Sequence, residues 1–316
     1  MKLPALGGAD SGPNSKGLPR VKAAVLCRFF EFTLPASTTL LWVLSGMFFA
    51  FNSGAVASEW KLVWSDEFDK PGLPDSTKWS YETGFIRNNE AQYYTRERKE
   101  NARVENGMLV IEARKERFPN PDFDPAAKGW QRARRSREFA EYTSASLTTR
   151  GKTNWTFGRI EVRAKLPAAR GTWPAIWTLG TNERQVGWPA CGEIDIMEFV
   201  GHEPGAIHAN VHTKKYNHVQ KNGKGGQLTV PDASEAFHIY ALEWDADHLD
   251  LFLDDHKYFT YTNEHTGNDA WPFDKPQFLI LNLAIGGAWG GQKGIDDSIF
   301  PQKYLVDYVR VYQKEK

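Results

Sequence analysis

The chain has 316 residues, enough for one large domain or two small ones, and nothing in its middle reads as a linker. Lysine plus arginine equals aspartate plus glutamate at 39 each, which removes any whole-chain argument for nucleic acid or an anionic membrane as partner. Aromatic residues make up 13% of the chain and include 12 Trp, a content that suits ring stacking on a neutral ligand as readily as core packing.

The first 57 residues read as a leader outside the fold. Leu40 to Phe51 is an apolar run well short of the ~20 residues that a membrane-spanning helix needs. Ala55-Val56-Ala57 follows with the small-residue pattern of a signal cleavage site. The mature chain is therefore expected to start at Ser58 and to be secreted or periplasmic, with no stable membrane insertion; an uncleaved anchor is the competing reading. Cys27 falls in the leader, which leaves Cys191 without a disulfide partner and expected to pack rather than react.

Residues 58–316 are expected to form one domain whose dominant period is two. Met108-Leu109-Val110-Ile111 is a short run of strand formers. Residues 118–141 break the rhythm with three Pro and the basic cluster Arg132, Arg134, Arg135 and Arg137, and read as a long surface loop. That cluster is expected to be a solvated face, the alternative being a loop at the edge of a binding cleft. Arg159 to Leu166 alternates charged and apolar residues, and His248 to Leu253 does so nearly as well. Ile239 to Leu242, Phe278 to Leu281 and Tyr304 to Tyr312 complete the strand candidates, with a tight hairpin turn at Asp254-Asp255-His256. Many short strands and no long helix predict an all-β fold of two packed antiparallel sheets.

The run Glu193-Ile194-Asp195-Ile196-Met197-Glu198 stands out because three carboxylates share an apolar, strand-like stretch. Side chains in a strand alternate between faces, so Glu193 and Asp195 share one side. Strict alternation sends Glu198 to the other side, into the core. An unpaired buried carboxylate is costly, so the pattern is self-consistent only if one extra residue bulges out near Met197 and returns Glu198 to the acidic face. Two carboxylates on one face suit glycoside hydrolysis, in which one attacks the anomeric carbon and the other protonates the leaving oxygen. Asp195, between them, is placed to hold a proton and the orientation of the attacking group. The competing reading is a solvated strand edge whose acids deter pairing.

At these residues the chain resembles glycoside hydrolase family 16, in the form of its active-site signature that carries the extra residue. Gly171 to Trp177, Trp188 to Gly192 and Phe199 to Glu203 resemble the laminarinase-like branch, which cleaves β-1,3-glucans, and Asn88 to Thr95 resembles its substrate-cleft segment. The resemblance runs from about Trp60 to Gln313. It implies a β-jelly-roll sandwich with a concave cleft, Glu193 as nucleophile, Asp195 as its assisting carboxylate and Glu198 as acid/base.

Further expectations follow from it. Asn89, Glu90 and Gln92 supply polar partners of a sugar subsite, and Trp173, Trp177, Trp188 and Trp289 are candidates for stacking on sugar rings. Trp289 lies in Gly286-Gly287-Ala288-Trp289-Gly290-Gly291, expected to be mobile and sterically open. His208 and His212 share a strand face; His212 is expected in the cleft and His208 in a structural role, and no third ligand has the spacing of a zinc site. Several family members bind a structural calcium on the convex side, and the matching positions here are Glu67, the carbonyl of Gly107 and Asp307, with ordinary surface acids as the alternative. The implied reaction needs no organic cofactor. The expected partner is a β-glucan polysaccharide acted on by a monomer. Mixed-linkage glucan, a marine galactan, transglycosylation and a non-catalytic β-glucan-binding lectin are the competing outcomes.

Overall fold

The period-two patterns become strands almost one for one. The computed structural model describes residues 60–315; the expected leader and its cleavage site lie outside them. Seventeen strands run through the described residues. They begin with β1 (Trp60–Asp66), β2 (Ser80–Glu82), β3 (Gln92–Tyr94), β4 (Ala102–Glu105), β5 (Met108–Pro119), β6 (Phe139–Ser144) and β7 (Ser146–Thr148). The middle of the chain gives β8 (Gly158–Lys165), β9 (Thr172–Gly180), β10 (Glu193–Phe199), β11 (Ala206–His212) and β12 (Lys224–Thr229). The last are β13 (His238–Trp244), β14 (His248–Leu253), β15 (His256–Thr262), β16 (Gln277–Ile285) and β17 (Gln302–Lys314).

One sheet has the order β15-β14-β13-β8-β17-β5-β6-β3, with β1 beside β17 and β4 beside β5. The other has the order β12-β11-β10-β9-β16-β7-β2. Pairing is antiparallel apart from β3 with β6. On β8, Ile160, Val162 and Ala164 are buried while the charged residues between them stay half-exposed, the alternation expected of a sheet with one face on a core. These residues join Leu109, Ile111, Val309 and Val311 from their own sheet and Ile176, Ile194, Ile207, Val211 and Leu281 from the other in one apolar cluster. Each such side chain contributes about 1.5–3 kcal/mol by leaving water, which is what holds the two layers together.

Asp254 and Asp255 turn β14 into β15, with Leu253 opposite His256 and Asp254 at the positive φ such a tight turn requires. The helices α1 (Arg132–Arg135) and α2 (Glu183–Val186) are single turns. No described helix is long and apolar enough to cross a membrane.

The expected loop 118–141 is narrower than its composition indicates. Strand β5 continues to Pro119 and β6 begins at Phe139. Between them the side chain of Asn120 donates to the carbonyls of Arg134 and Arg137, at 3.1 and 2.9 Å, and folds the segment back on itself around α1.

Candidate active site

The site is built on a break in register. On β10, Asp195 stands opposite Trp177 of β9, but Met197 stands opposite Ile176, the very next residue. On the other flank Asp195 faces Asn210 and Glu198 faces His208, again leaving β10 one residue too long. Ile196 and Met197 both turn inward and are fully buried with Ile194 and Phe199 in the core. This is the bulge that the charge argument requires. Glu193, Asp195 and Glu198 therefore all face a cleft of about 1610 Å³ on the outer side of the seven-stranded sheet.

Glu193 and Asp195 share one partner, and Glu198 has two of its own. The indole N–H of Trp188 donates to Oε2 of Glu193 at 2.9 Å. Nε2 of His212, on β11, lies 3.2 Å from Oδ2 of Asp195 and 3.7 Å from Oε1 of Glu193. Glu198 accepts from the indole of Trp173 at 3.2 Å on one oxygen and from the side-chain amide of Asn210 at 3.0 Å on the other.

Burial raises all three carboxyls, because leaving water penalises the charged form. Glu193 is pushed up to about 8 by burial and then by the charge of Asp195, against the opposing pull of His212 and Trp188. Asp195 is raised well above the ordinary carboxylate range by burial and by Glu198. Glu198 is raised by burial, and His212, Asn210 and Trp173 pull it back down. Three carboxyls this close titrate in steps that belong to the cluster, so it holds protons at pH values where isolated carboxyls have lost theirs. A protonated and an ionised carboxyl on one face are the two parts that acid-assisted nucleophilic displacement at a sugar carbon requires.

Residues 89–310 match the sequence profile of Glycosyl hydrolases family 16. The chain belongs to that family. It is 50% identical over 266 residues to a beta-glucanase of Rhodothermus marinus, an alignment covering 81% of this chain and 86% of that protein. Among solved structures it is similar to the laminarinase of Rhodothermus marinus, with a TM-score of 0.73 at 48% identity over 82% of this chain and 100% of the other. A non-specific endo-beta-1,3(4)-glucanase of family 16 gives a TM-score of 0.74 at 49% identity, covering 82% of this chain and 97% of that one.

Within this family-16 cleft the expected sugar-binding residues divide. Trp173, Trp177, Trp188, His212, Trp289 and Glu90 line it. Asn89 is exposed and lies outside the cleft lining, in a left-handed turn with Asn88. Gln92 is fully buried; it donates to Glu90 at 2.7 Å, accepts from the N–H of Ile285 at 2.7 Å, and so ties this segment to β16 instead of facing sugar. Trp177 is a floor residue. Its indole donates to Asn282 at 2.8 Å, and the guanidinium of Arg87 sits 4.8 Å over its ring.

The glycine-rich segment is packed, not open. A Cβ on Gly287 would stand 3.0 Å from Cγ of Glu90 and 3.1 Å from the carbonyl oxygen of Asn88, and one on Gly290 would stand 2.9 Å from Cβ of Trp173. The N–H of Ala288 donates to that same Asn88 carbonyl at 2.9 Å. Glycine is needed here for close approach, and it fixes Trp289 edge-on to Trp173, ring centres 5.7 Å apart.

His208 lines the cleft with its ring 4.8 Å from that of Trp289, a packing contact compatible with a structural role. Asn210, Arg87, Asn282 and His218 also line the cleft and carried no local signal. Their placement depends on strand register and loop packing, which no short motif encodes. From the basic loop, Arg137 donates to the carbonyl of Glu90 at 3.0 Å and lies over Phe85, so that cluster is partly a support for the cleft segment. Cys191 is buried, and burial pushes its thiol up to about 12, in keeping with a packing role.

Glu193, Asp195 and His212 also present ligand atoms within 4.8 Å of one another. The indole N–H of Trp188 is aimed at the same group and disfavours a cation there. On the other sheet, Glu67 has both carboxylate oxygens on Arg310, at 3.0 and 2.8 Å. Asp307 accepts from Arg163, and Gly107 turns the chain between β4 and β5 at a φ of 73°.

Proposed function

We propose that the protein is a retaining endo-β-glucanase that hydrolyses β-1,3-linked glucan of the laminarin type. The observation that carries this is the pairing of Glu193 and Glu198 on one cleft face with different partners, in a chain half identical to a beta-glucanase. Glu198, whose carboxyl is raised by burial, gives its proton to the glycosidic oxygen as that bond to the anomeric carbon breaks. Glu193 attacks the same carbon from the opposite face and forms the glycosyl-enzyme. Asp195 takes over the proton that burial holds on Glu193, which leaves the attacking oxygen ionised and oriented. Glu198, now a carboxylate, takes a proton from water, and the hydroxyl displaces Glu193 to give a retained product. Trp188 and His212 hold the nucleophile; Trp173 and Asn210 hold the acid.

Mixed-linkage glucan is a second reading, favoured by the 49% identity to an enzyme described as a non-specific endo-beta-1,3(4)-glucanase. Incubation with laminarin, curdlan, lichenan and agarose, followed by sizing of the products, separates these substrates and endo from exo cleavage. Glu193→Ala should abolish turnover, and azide or formate should restore it as a product of inverted configuration. Rescue of Glu198→Ala with azide should instead retain configuration, since the nucleophile is intact; the converse pattern exchanges the two roles.

Action as a monomer belongs to this reading, and sedimentation of the purified protein tests it. Secretion or periplasmic export after cleavage near Ala57 is supported by the leader pattern, and N-terminal sequencing of exported protein tests it. For the calcium, the candidates are Glu67, the Gly107 carbonyl and Asp307, oxygen donors of the kind a hard cation takes. Its role would be structural, bracing the β4–β5 turn against β17, and it would compete with Arg310 for Glu67.

A further inference from the structure

Trp188 is 39% exposed, yet its indole N–H is the donor held at 2.9 Å from Glu193. A solvent-facing indole keeps one orientation only if something fixes its ring. Two imidazoles touch it, His212 at a ring-centre distance of 5.8 Å and His218 at 5.3 Å with planes 38° apart. The two imidazoles also meet each other edge to face at 5.1 Å.

His218 is carried by the loop 213–222, which is cross-tied by its own side chains. Asn217 is 2% exposed; its Oδ1 accepts from the N–H of Gln220 at 3.1 Å and its Nδ2 donates to the carbonyl of Thr213 at 3.0 Å. Oδ1 of Asn222 accepts from the N–H of Asn217 at 3.1 Å, and Nδ2 of Asn222 donates to the carbonyl of Lys215 at 2.8 Å. Oγ1 of Thr213 accepts from the N–H of Tyr216 at 3.0 Å. A loop tied in this way presents its imidazole at one place on the cleft wall.

We propose that His218 is a positioning residue for the nucleophile: its ring backs Trp188, and the indole N–H of Trp188 in turn fixes the carboxylate of Glu193. This rests on the reading of Glu193 as nucleophile. With His218 gone, Trp188 keeps only the contact with His212, and the donor that aims the attacking oxygen of Glu193 is held less firmly. Attack needs reacting atoms about 3–3.5 Å apart and aligned, so the loss should fall on kcat and leave KM nearly unchanged.

His218→Ala should lower kcat roughly tenfold with KM within about twofold of wild type, and His218→Phe, which keeps a flat ring, should regain most of that loss. Trp188→Phe removes the N–H, and adding His218→Ala to it should cost nothing further, because the two residues act in series. Additive losses in the double variant, or a change in KM alone, would overturn the proposal. A second measurement needs no turnover. In ¹⁵N-tryptophan-labelled protein, the indole N–H resonance that disappears in Trp188→Phe should shift and exchange faster with water in His218→Ala, and should return in His218→Phe. An unmoved resonance overturns the proposal whichever polysaccharide is cleaved. A moved resonance in a protein inert toward all four polysaccharides would instead overturn the hydrolase reading on which the proposal rests, leaving the His218–Trp188 contact without a nucleophile to serve.

Discussion

Asn210 on β11 donates its side-chain amide to Oε2 of Glu198 on β10 at 3.0 Å. A donor of this kind favours the ionised carboxylate, so Asn210 draws Glu198, the proposed acid/base, down against the rise that burial imposes.

Asn210→Ala should therefore raise the pKa of Glu198. The acid stays protonated to higher pH, and the alkaline limb of the kcat/KM profile should move to higher pH while the maximal rate falls, because Glu198 has lost one of two orienting contacts. An alkaline limb that moves to lower pH would show that Glu198 is not the group titrating there. A pH–rate series on the most rapidly cleaved glucan decides it.

Glu193 carries a linked cost in stability. Its folded pKa, about 8, lies above its ordinary value of 4.5. A carboxyl raised on folding binds its proton more tightly in the native state, so its contribution is fully present below about pH 4.5 and is lost as pH rises through about 8. Glu193→Gln, which stays neutral, should melt higher than wild type at pH 8 and nearly level with it at pH 4. Calorimetry across that range checks the sign, and equal melting temperatures at pH 8 would contradict the raised pKa.

The bulge predicts unequal effects of length changes. One Ala inserted after Met197 drives the following carboxylate toward the core, where an unpaired charge is costly, so the variant should misfold or be inactive. Deleting Met197 restores simple alternation and keeps all three acids on the cleft face, at the loss of one buried side chain. The deletion should retain measurable activity at a lower melting temperature. A well-folded insertion variant with wild-type activity would show that register does not position Glu198.

Calcium is expected to act on stability and hardly on rate, because Asp307 lies on β17, Glu67 directly follows β1 and Gly107 turns β4 into β5, all in the sheet that does not carry the acids or at its edges. Chelation should lower the melting temperature, and Arg310→Met, which frees Glu67, should enlarge the protection given by added calcium. No thermal response to calcium in either protein, with no bound metal by elemental analysis, would remove the site.

The two-sheet fold and the acid strand were legible because both rest on local alternation and on the cost of burying a charge. A bulge near Met197 could be assigned without any neighbour in view, since Glu198 had to be brought back into line with Asp195. What stayed hidden depends on register between distant segments. Asn89 and Gln92 are polar neighbours of Glu90 in the chain, yet the left-handed turn at Asn88 and Asn89 and the bond from Ile285 to Gln92 send them away from the cleft. Asn210 and His208 reach it because β11 pairs with β10 on the far side of the bulge. The glycines around Trp289 pointed to freedom, whereas the structure uses them for contact, a distinction that composition cannot make.

That contact ties two stretches of chain nearly two hundred residues apart into one unit of inheritance. Because a methyl group on Gly287 would crowd Glu90 and Asn88 more tightly than ordinary contact, a side chain added on either stretch has to be answered by a shift or change on the other. Relatives that differ in cleft width around Trp289 should therefore differ at both stretches together, and transplanting one of them alone should yield a chain less stable than either parent.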